Sequence, residues 1–325
     1  KRANFLRANL EQLLAEFRQI PAGLVEVLVS DNCSPDNTPE VVAEIQAKGL
    51  PVHYVRNAEN IGSDANIAQS FNLSRGQYVL IQGDDDLFVD GALSQILDWL
   101  AHKEYGVISL RAYGFEQDFR AEYPGAGGKQ YEFKDAGAFL AQIGAAMTLI
   151  SSNIINKRLL TGVDAREFCG GNLVQVHLLL QAALQAESNL LTDQYLMACQ
   201  RNNSGGYNFF KVFIDNLFGI LDQYQSHGLN PAVINRIERG MLIKFFPFYI
   251  LKSRLGNTLP IEEVYARFVA RFRQHWFFPI WITPGLRLPR PFALAWLAGI
   301  VLIGRAIGGD FRRGLKFLTH KLSVR

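Results

Sequence analysis

The stretch Tyr78-Val79-Leu80-Ile81-Gln82-Gly83-Asp84-Asp85-Asp86-Leu87 constrains this chain more than any other. An apolar run, aromatic and β-branched at its start, stops at a glycine, and three carboxylates follow at once. Such a run is a buried strand that delivers a cluster of acids to the edge of a sheet. Three like charges that close repel one another unless they share a cation. Oxygen-only ligands suit a hard divalent ion, Mg²⁺ or Mn²⁺. An Asp-rich turn ahead of a helix is the plainer alternative. The rest of the chain separates the two.

The 325 residues are 49% hydrophobic and 19% charged, enough apolar material for a sizeable core and for one large domain or two. The net charge of +3 is too small to argue for nucleic acid as a partner. Cys33, Cys169 and Cys199 are widely spaced, neither a disulfide framework nor a zinc pattern, and fit a reducing compartment.

Apolar residues at helical spacing (Phe5, Leu6, Leu10, Leu13, Leu14, Phe17) predict a first helix. Val25–Ser30 reads as a strand, ending in the polar loop Asp31–Thr38. A helix follows over Pro39–Ala47, with Thr38 as its cap and Pro39 at its first position. Val52–Val55 is a short strand, Asp64–Leu73 a helix, and Gly91–His102 a helix capped by Asp90. Strands alternating with helices predict a parallel α/β sheet, whose ligands sit at the carboxyl ends of strands. Asp31 and Asp84–Asp86 lie at such ends. Beyond residue 106 the spacing predicts a strand at 107–110, a mobile loop over Arg120–Gln130, a helix at 135–146 and a strand at 148–155. A helix opened by Gly170-Gly171 and a strand over Asn189–Gln200 follow.

The last third reads as helical. His275–Ile282 is an aromatic cluster, and Phe292–Gly304 is an uncharged apolar run of 13 residues. At about 1.5 Å per residue that run falls short of the roughly 30 Å of a hydrocarbon core and is not expected to span it. Behind it, Phe311, Leu315, Leu318 and Leu322 share one helix face, with Arg312, Arg313, Lys316 and His320 away from it. An aromatic cluster followed by a basic amphipathic end predicts attachment to a membrane surface; a helical subdomain buried against the rest is the alternative.

Four pieces now stand in order: Val29–Thr38, Asn57–Asn66, Arg75–Tyr78 and Gly83–Asp86. Together they resemble the family 2 glycosyltransferases of GT-A fold, and within them the branch similar to abequosyl- and other O-antigen sugar transferases. The resemblance covers about residues 4–205. It implies a Rossmann-like, mostly parallel sheet flanked by helices. Residues 1–105 would be the nucleotide-sugar half, 106–206 the acceptor half, and 207–325 a helical, membrane-associating region. It further implies inverting transfer of a sugar from a nucleotide-sugar to a glycan or lipid-linked acceptor, at the cytoplasmic face of the membrane. By that resemblance Asp31 contacts the nucleobase. Asp86 is the direct metal ligand, with Asp84, which also faces the ribose, and Asp85 beside them. Asn60, Gly62 and Asn66 shape the donor pocket; a turn that needs positive φ explains Gly62 equally well. Arg201 matches a phosphate partner, or is a plain surface arginine.

The chain departs from the family pattern twice. The attacking hydroxyl needs a general base, and no Glu-Asp or Asp-Asp pair stands where the family carries one. His177, Glu167 and Asp164 are the candidates. The family also begins with a central strand that ends in a Pro-Thr-Tyr-Asn-like turn, and this chain starts after that point. A sheet without a central strand exposes unpaired backbone groups, so a longer natural N-terminus is expected, and an unbroken sheet would refute it. A nucleotidyltransferase, or a non-catalytic sugar-nucleotide or membrane-surface module, stays open as an alternative.

Overall fold

The structure is a computed structural model that describes residues 2–125, 127–201 and 206–308. The chain divides into two compact units, the first ending at Tyr207 and the second beginning at Asn208. In the first, helix α1 (Arg2–Phe17) leads to β1 (Val27–Asp31), α2 (Thr38–Ala47), β2 (Val52–Arg56), α3 (Ser63–Leu73) and β3 (Tyr78–Leu80). Then come β4 (Leu87–Phe88), α4 (Ala92–His102), β5 (Val107–Phe115), β6 (Gln130–Phe133), α5 (Ala136–Ile143), β7 (Asn153–Asn156), α6 (Val174–Gln185) and β8 (Asn189–Gln200).

The strands form two sheets. β1 and β2 pair in parallel, with Asp31 opposite Arg56. The second sheet runs β3-β7-β5-β8-β4, with β6 also on β8. Its pairing corrects the expected parallel character: only β5 and β8 run parallel there, and the other four pairs are antiparallel. None of these antiparallel pairs is a hairpin: β3–β7, β4–β8, β5–β7 and β6–β8 are each joined through intervening elements, so their direction is set by long-range packing and not by a tight turn. Among the described residues β1 pairs only with β2 and β3 only with β7. Glu26 ties the two sheets together: its carboxylate accepts from Arg75 N at 2.5 Å and Gly76 N at 2.9 Å, just ahead of β3.

One core joins the sheets to the helices on one side. Leu6, Leu10 and Leu13 of α1 and Val42 and Ile45 of α2 pack with Ile96 and Trp99 of α4. They close over Ile108, Ile154 and Met197 from the second sheet.

Several local expectations are corrected. The apolar run after Tyr78 is strand only to Leu80, so Ile81–Asp86 is loop, and the strand expected at 148–155 is confined to Asn153–Asn156. Thr38 is the first helical residue of α2, and its hydroxyl bonds Asp36 at 2.7 Å, so it does not cap the helix. Asp90 does not cap α4 either. It accepts from Arg120 at 2.7 Å and from Gln12 at 2.9 Å, which also fastens the start of the loop expected to be mobile. The cap of α4 comes from far away in sequence. Gly91, at φ 77°, has no side chain to offer, and buried Glu16 of α1 accepts from Gly91 N at 2.7 Å and Leu93 N at 2.9 Å. A carboxylate at a helix N-terminus satisfies orphan donors and meets the positive end of the dipole.

The second unit is helical. A π-helical segment (Lys211–Asn216) runs into α7 (Leu217–Gln223), followed by α8 (Pro231–Gly240). A second π-segment (Met241–Phe245) precedes α9 (Phe246–Leu255), whose Pro247 lacks an N–H and so cannot close an ordinary turn. Then come α10 (Ile261–Phe272), α11 (Phe278–Trp281), α12 (Thr283–Arg287) and α13 (Arg290–Ile307). Buried Arg254 donates to the carbonyls of Gly285, Leu286 and Leu288 and so closes the end of α12. Buried Glu238 accepts from Arg271 at 2.6 Å and His275 at 2.7 Å. Helix α13 overturns the length argument made from its sequence. It extends the 13-residue run to 18 residues, long and apolar enough by length and composition to cross a membrane. The basic stretch 311–322 lies outside the described residues.

Removing the α4 cap is expected to be costly. Glu16→Ala should lower stability by about 1–3 kcal/mol, because two backbone donors lose their partner. Glu16→Gln, which keeps one acceptor, should lose less; urea midpoints of the two variants check the order.

Candidate active site

The loop between β3 and β4 is scaffolded on every side. Asn9 of α1 donates to Gly83 O at 3.1 Å and to Asp86 O at 2.6 Å. Gln82 also donates to Asp86 O, at 2.8 Å, and Gly83 N donates to Ser151 Oγ at 2.8 Å. A Cβ on Gly83 would lie 3.0 Å from Asp85 Oδ1 and 3.3 Å from Asp86 Oδ2. Only glycine therefore lets both carboxylates fold over the same stretch of backbone.

The three acids are held differently. Asp84 pairs with the guanidinium of Arg2, which also stands 4.0 Å from Asp85. Burial raises the Asp84 carboxyl above its ordinary range, Arg2 opposes the rise, and Asp85 adds to it. Asp86 has neutral partners: Gln200 N donates to its Oδ1 at 3.1 Å, and the side chains of Ser151 and Cys199 also bond it. Burial, reinforced by the charge of Asp85, lifts Asp86 to about 6 against those bonds. Burial likewise pushes the Cys199 thiol well up, with the Asp86 charge adding to it.

A divalent cation fits this donor set. The oxygens are hard, and their charge is raised in energy by burial and by crowding, which a cation relieves. Of the two expected ligands, Asp84 is engaged by Arg2, whereas Asp86 is held by neutral groups alone. Among the described residues no three His, Cys, Asp or Glu side chains form a ready-made ligand group. Further ligands would have to come from a bound molecule or from water.

A second wall is built of amides. Asn32 donates to Asn60 at 2.8 Å and to Gly62 O at 3.2 Å, and accepts from Ile61 N at 2.9 Å. Asn66 exchanges bonds with Ser30: its amide donates to Ser30 O at 3.0 Å and its carbonyl accepts from Ser30 Oγ at 2.7 Å. Asn57 joins them, donating to Asn66 at 3.1 Å. Asn60 and Asn66 are thus spent on fixing the loop. Gly62 is required by its φ of 86°, and nothing crowds its missing Cβ.

Asp31 sits at the end of β1 where the sequence placed it, but its carboxylate has 0% of its surface accessible. Tyr54 Oη donates to Oδ2 at 2.7 Å, Ser34 N to Oδ1 at 2.8 Å, and Arg56 Nε stands 3.3 Å from Oδ2. Burial, together with that bond to Asp31, raises the Tyr54 phenol. The half-exposed Arg56 is the group that faces outward here, so a direct contact from Asp31 to a nucleobase requires Arg56 to move. Arg201 donates to Gly114 O, and its guanidinium lies 3.7 Å from Glu116 and 3.5 Å from Glu122. Both acids compete with any phosphate for it.

The candidate bases separate clearly. Asp164 caps a short 3₁₀ turn, accepting from Arg166 N at 3.0 Å and from Asn72 at 2.5 Å, and these bonds lower its carboxyl. Glu167 is exposed on that same turn. His177 stacks on Phe168 with ring centroids 4.6 Å apart. Burial lowers its imidazole below the ordinary value, opposed by the charge of Asp64. Asp64 in turn binds Gly170 N and Asn172 N, each at 2.8 Å, fastening the loop ahead of α6 to the head of α3. The sequence reading did not single out Asn9, Ser151, Tyr54, Arg56 or Asp64. The strand-end pairing of Asp31 with Arg56 was the one legible signal among them.

The chain is similar to known proteins in sequence and in fold. Residues 1–158 match the family described as Glycosyl transferase family 2. Abequosyltransferase RfbV of Salmonella typhimurium is 34% identical over 77 residues, 23% of this chain and 23% of that protein. An uncharacterized glycosyltransferase of Mycoplasma pneumoniae, an MG060 homolog, is 30% identical over 93 residues, 28% of this chain and 31% of that protein. The matched stretch thus spans under a third of either relative. Among solved structures, S. aureus TarS 1-349 in complex with UDP-GlcNAc superposes with a TM-score of 0.58 at 15% identity, over 99% of this chain and 90% of that one. The mannosyltransferase PcManGT from Pyrobaculum calidifontis, in complex with GDP-Man and Mn²⁺, gives 0.51 at 16% identity, over 93% and 83%. The fold is that of the GT-A glycosyltransferases, and residues 1–158 belong to glycosyl transferase family 2.

Proposed function

We propose that the chain transfers a sugar, with inversion, from a nucleotide-sugar donor to a hydroxyl of a glycan or lipid-linked acceptor, as in cell-surface polysaccharide or O-antigen synthesis. The observation that carries this reading is the loop Gly83–Asp86. It crowds half-buried carboxylates at the edge of a sheet, on a domain of glycosyl transferase family 2. In this reading a divalent ion, when bound, offsets the negative charge that develops on the departing diphosphate.

The protein's own residues divide the remaining work. Asp86 would anchor the cation, with Ser151, Cys199 and Gln200 N holding its carboxylate in place. The amide wall of Asn32, Asn57, Asn60 and Asn66 would keep the donor pocket in one shape before the donor arrives, which saves ordering entropy on binding. Asp31, with Tyr54 and Arg56, would meet the nucleoside. Attack on the anomeric carbon from the face opposite the leaving group inverts the centre and requires the acceptor hydroxyl to lose its proton. His177 fits that role best, since its burial favours the neutral imidazole. Glu167, exposed on its 3₁₀ turn, is the weaker choice.

Three outcomes are expected. With Mn²⁺, one of the UDP-, GDP-, CDP- or dTDP-sugars should raise the melting temperature by several degrees, since a bound donor stabilises by mass action; no shift with any of them sinks the donor reading. Asp86→Asn should abolish metal-dependent hydrolysis of that sugar nucleotide, and full activity would remove Asp86 from the site. In the metal-free protein, Asp86 binds its proton more tightly folded than unfolded. Its contribution is therefore fully present below pH 4 and is lost as pH rises through about 6. Asp86→Asn should accordingly melt higher than the metal-free parent at pH 8 and gain little at pH 4.

A further inference from the structure

Helix α13 has two apolar faces. One carries Ala293, Leu297, Ile300, Val301 and Gly304 and is buried inside the helical unit. The other, at i, i+3/i+4 and i+7 spacing, carries Phe292, Trp296, Ile303 and Ile307, exposed at 66%, 36%, 49% and 59%. Ala295, Gly299 and Ala306 fill the positions between them, so this face holds no charge. Nearby in sequence, Trp276 is 79% exposed and Ile280 59%. A soluble surface rarely leaves so many large apolar side chains in one stripe.

The charge around this stripe identifies its partner. From residue 290 to the end, the sequence holds seven Lys and Arg against one acid, Asp310, whereas Arg267, Arg271 and Arg287 before that stretch are paired with acids. Arg290 opens α13 and Arg305 stands near its tail. A protein partner would have to neutralise that excess residue by residue, whereas a bilayer containing anionic lipid does so as a continuous field. We propose that the exposed face of α13 seats in the headgroup–acyl boundary of an anionic membrane, with its long axis in the membrane plane. Trp296, whose ring N–H is satisfied by Trp281 O, presents the rest of its half-exposed ring to that boundary.

The packing of α13 decides between lying on the membrane and crossing it. A Cβ on Gly304 would stand 2.6 Å from Ile243 O, and one on Gly285 of α12 would stand 2.5 Å from Leu297. The helix is pressed against backbone on one side along most of its length. Crossing a bilayer would strip that face from α9, α12 and the Met241–Phe245 segment. The inference stands on the second unit alone and is independent of the reading of the active site.

Sedimentation with vesicles tests it. The full chain should bind phosphatidylglycerol-containing vesicles, with a blue shift of tryptophan emission that Trp296→Phe reduces. Binding should fall away with pure phosphatidylcholine or at high salt. Phe292→Glu and Ile303→Glu should each weaken binding at least about tenfold, while donor binding to the first unit and the melting temperature stay unchanged, since both side chains are exposed. Equal binding to neutral vesicles, or variants that bind as the parent does, would overturn the proposal. So would a concentration-dependent dimer abolished by Phe292→Glu in a chain that binds no vesicle. Alkaline carbonate should release the protein from isolated membranes; retention would show a spanning helix and overturn the in-plane placement. The wild-type salt and lipid dependence decides the matter even where a Glu variant fails to fold.

Discussion

Crowding three carboxylates into one short loop is the constraint that the first unit is built around. Their mutual repulsion and burial would open the loop unless the backbone on either side were pinned. Asn9 from α1, Ser151 from the turn before β7 and Gln200 N at the end of β8 do the pinning. Three regions far apart in the chain converge on Gly83–Asp86. The long-range order of the sheet and the local geometry of the acids are thus the same fact seen at two scales. Removing the fold removes the crowding.

Much of this was legible in the sequence. The strand-then-acids pattern at Tyr78–Asp86, the loop at Asp31 and the Asn57–Asn66 segment all fall at strand ends or helix heads, as their period and turn chemistry imply. These features are written locally, by residues within a few positions of one another. What was missed depends on distant partners. Asp90 looks like a cap because it precedes a helix, yet the cap is Glu16, seventy-five residues upstream of Gly91. The antiparallel pairing of β7 with β3 and β5 has no signature in any one strand. Strand order is decided by which faces bury against which, and alternation along one segment does not encode that.

The candidate site shows the same division. The identity of the acidic loop was legible because charge clustering is visible in the sequence. The state of each acid was not: Arg2 takes Asp84 while neutral donors take Asp86, and both partners come from other elements. Similarly, His177, Glu167 and Asp164 are alike as titratable residues in one stretch. Only burial, stacking on Phe168 and the capping of a 3₁₀ turn tell them apart.

Arg56 closes over Asp31 like a stopper whose charge balances what it covers. A molecule that engages this carboxylate has to arrive with a hydrogen-bond donor of its own, because Tyr54 and Ser34 N alone would leave a buried charge without the cation that balances it. Any molecule that reached this carboxylate would exchange one partner for another, and one lacking a correctly placed N–H or O–H would gain nothing from displacing the guanidinium.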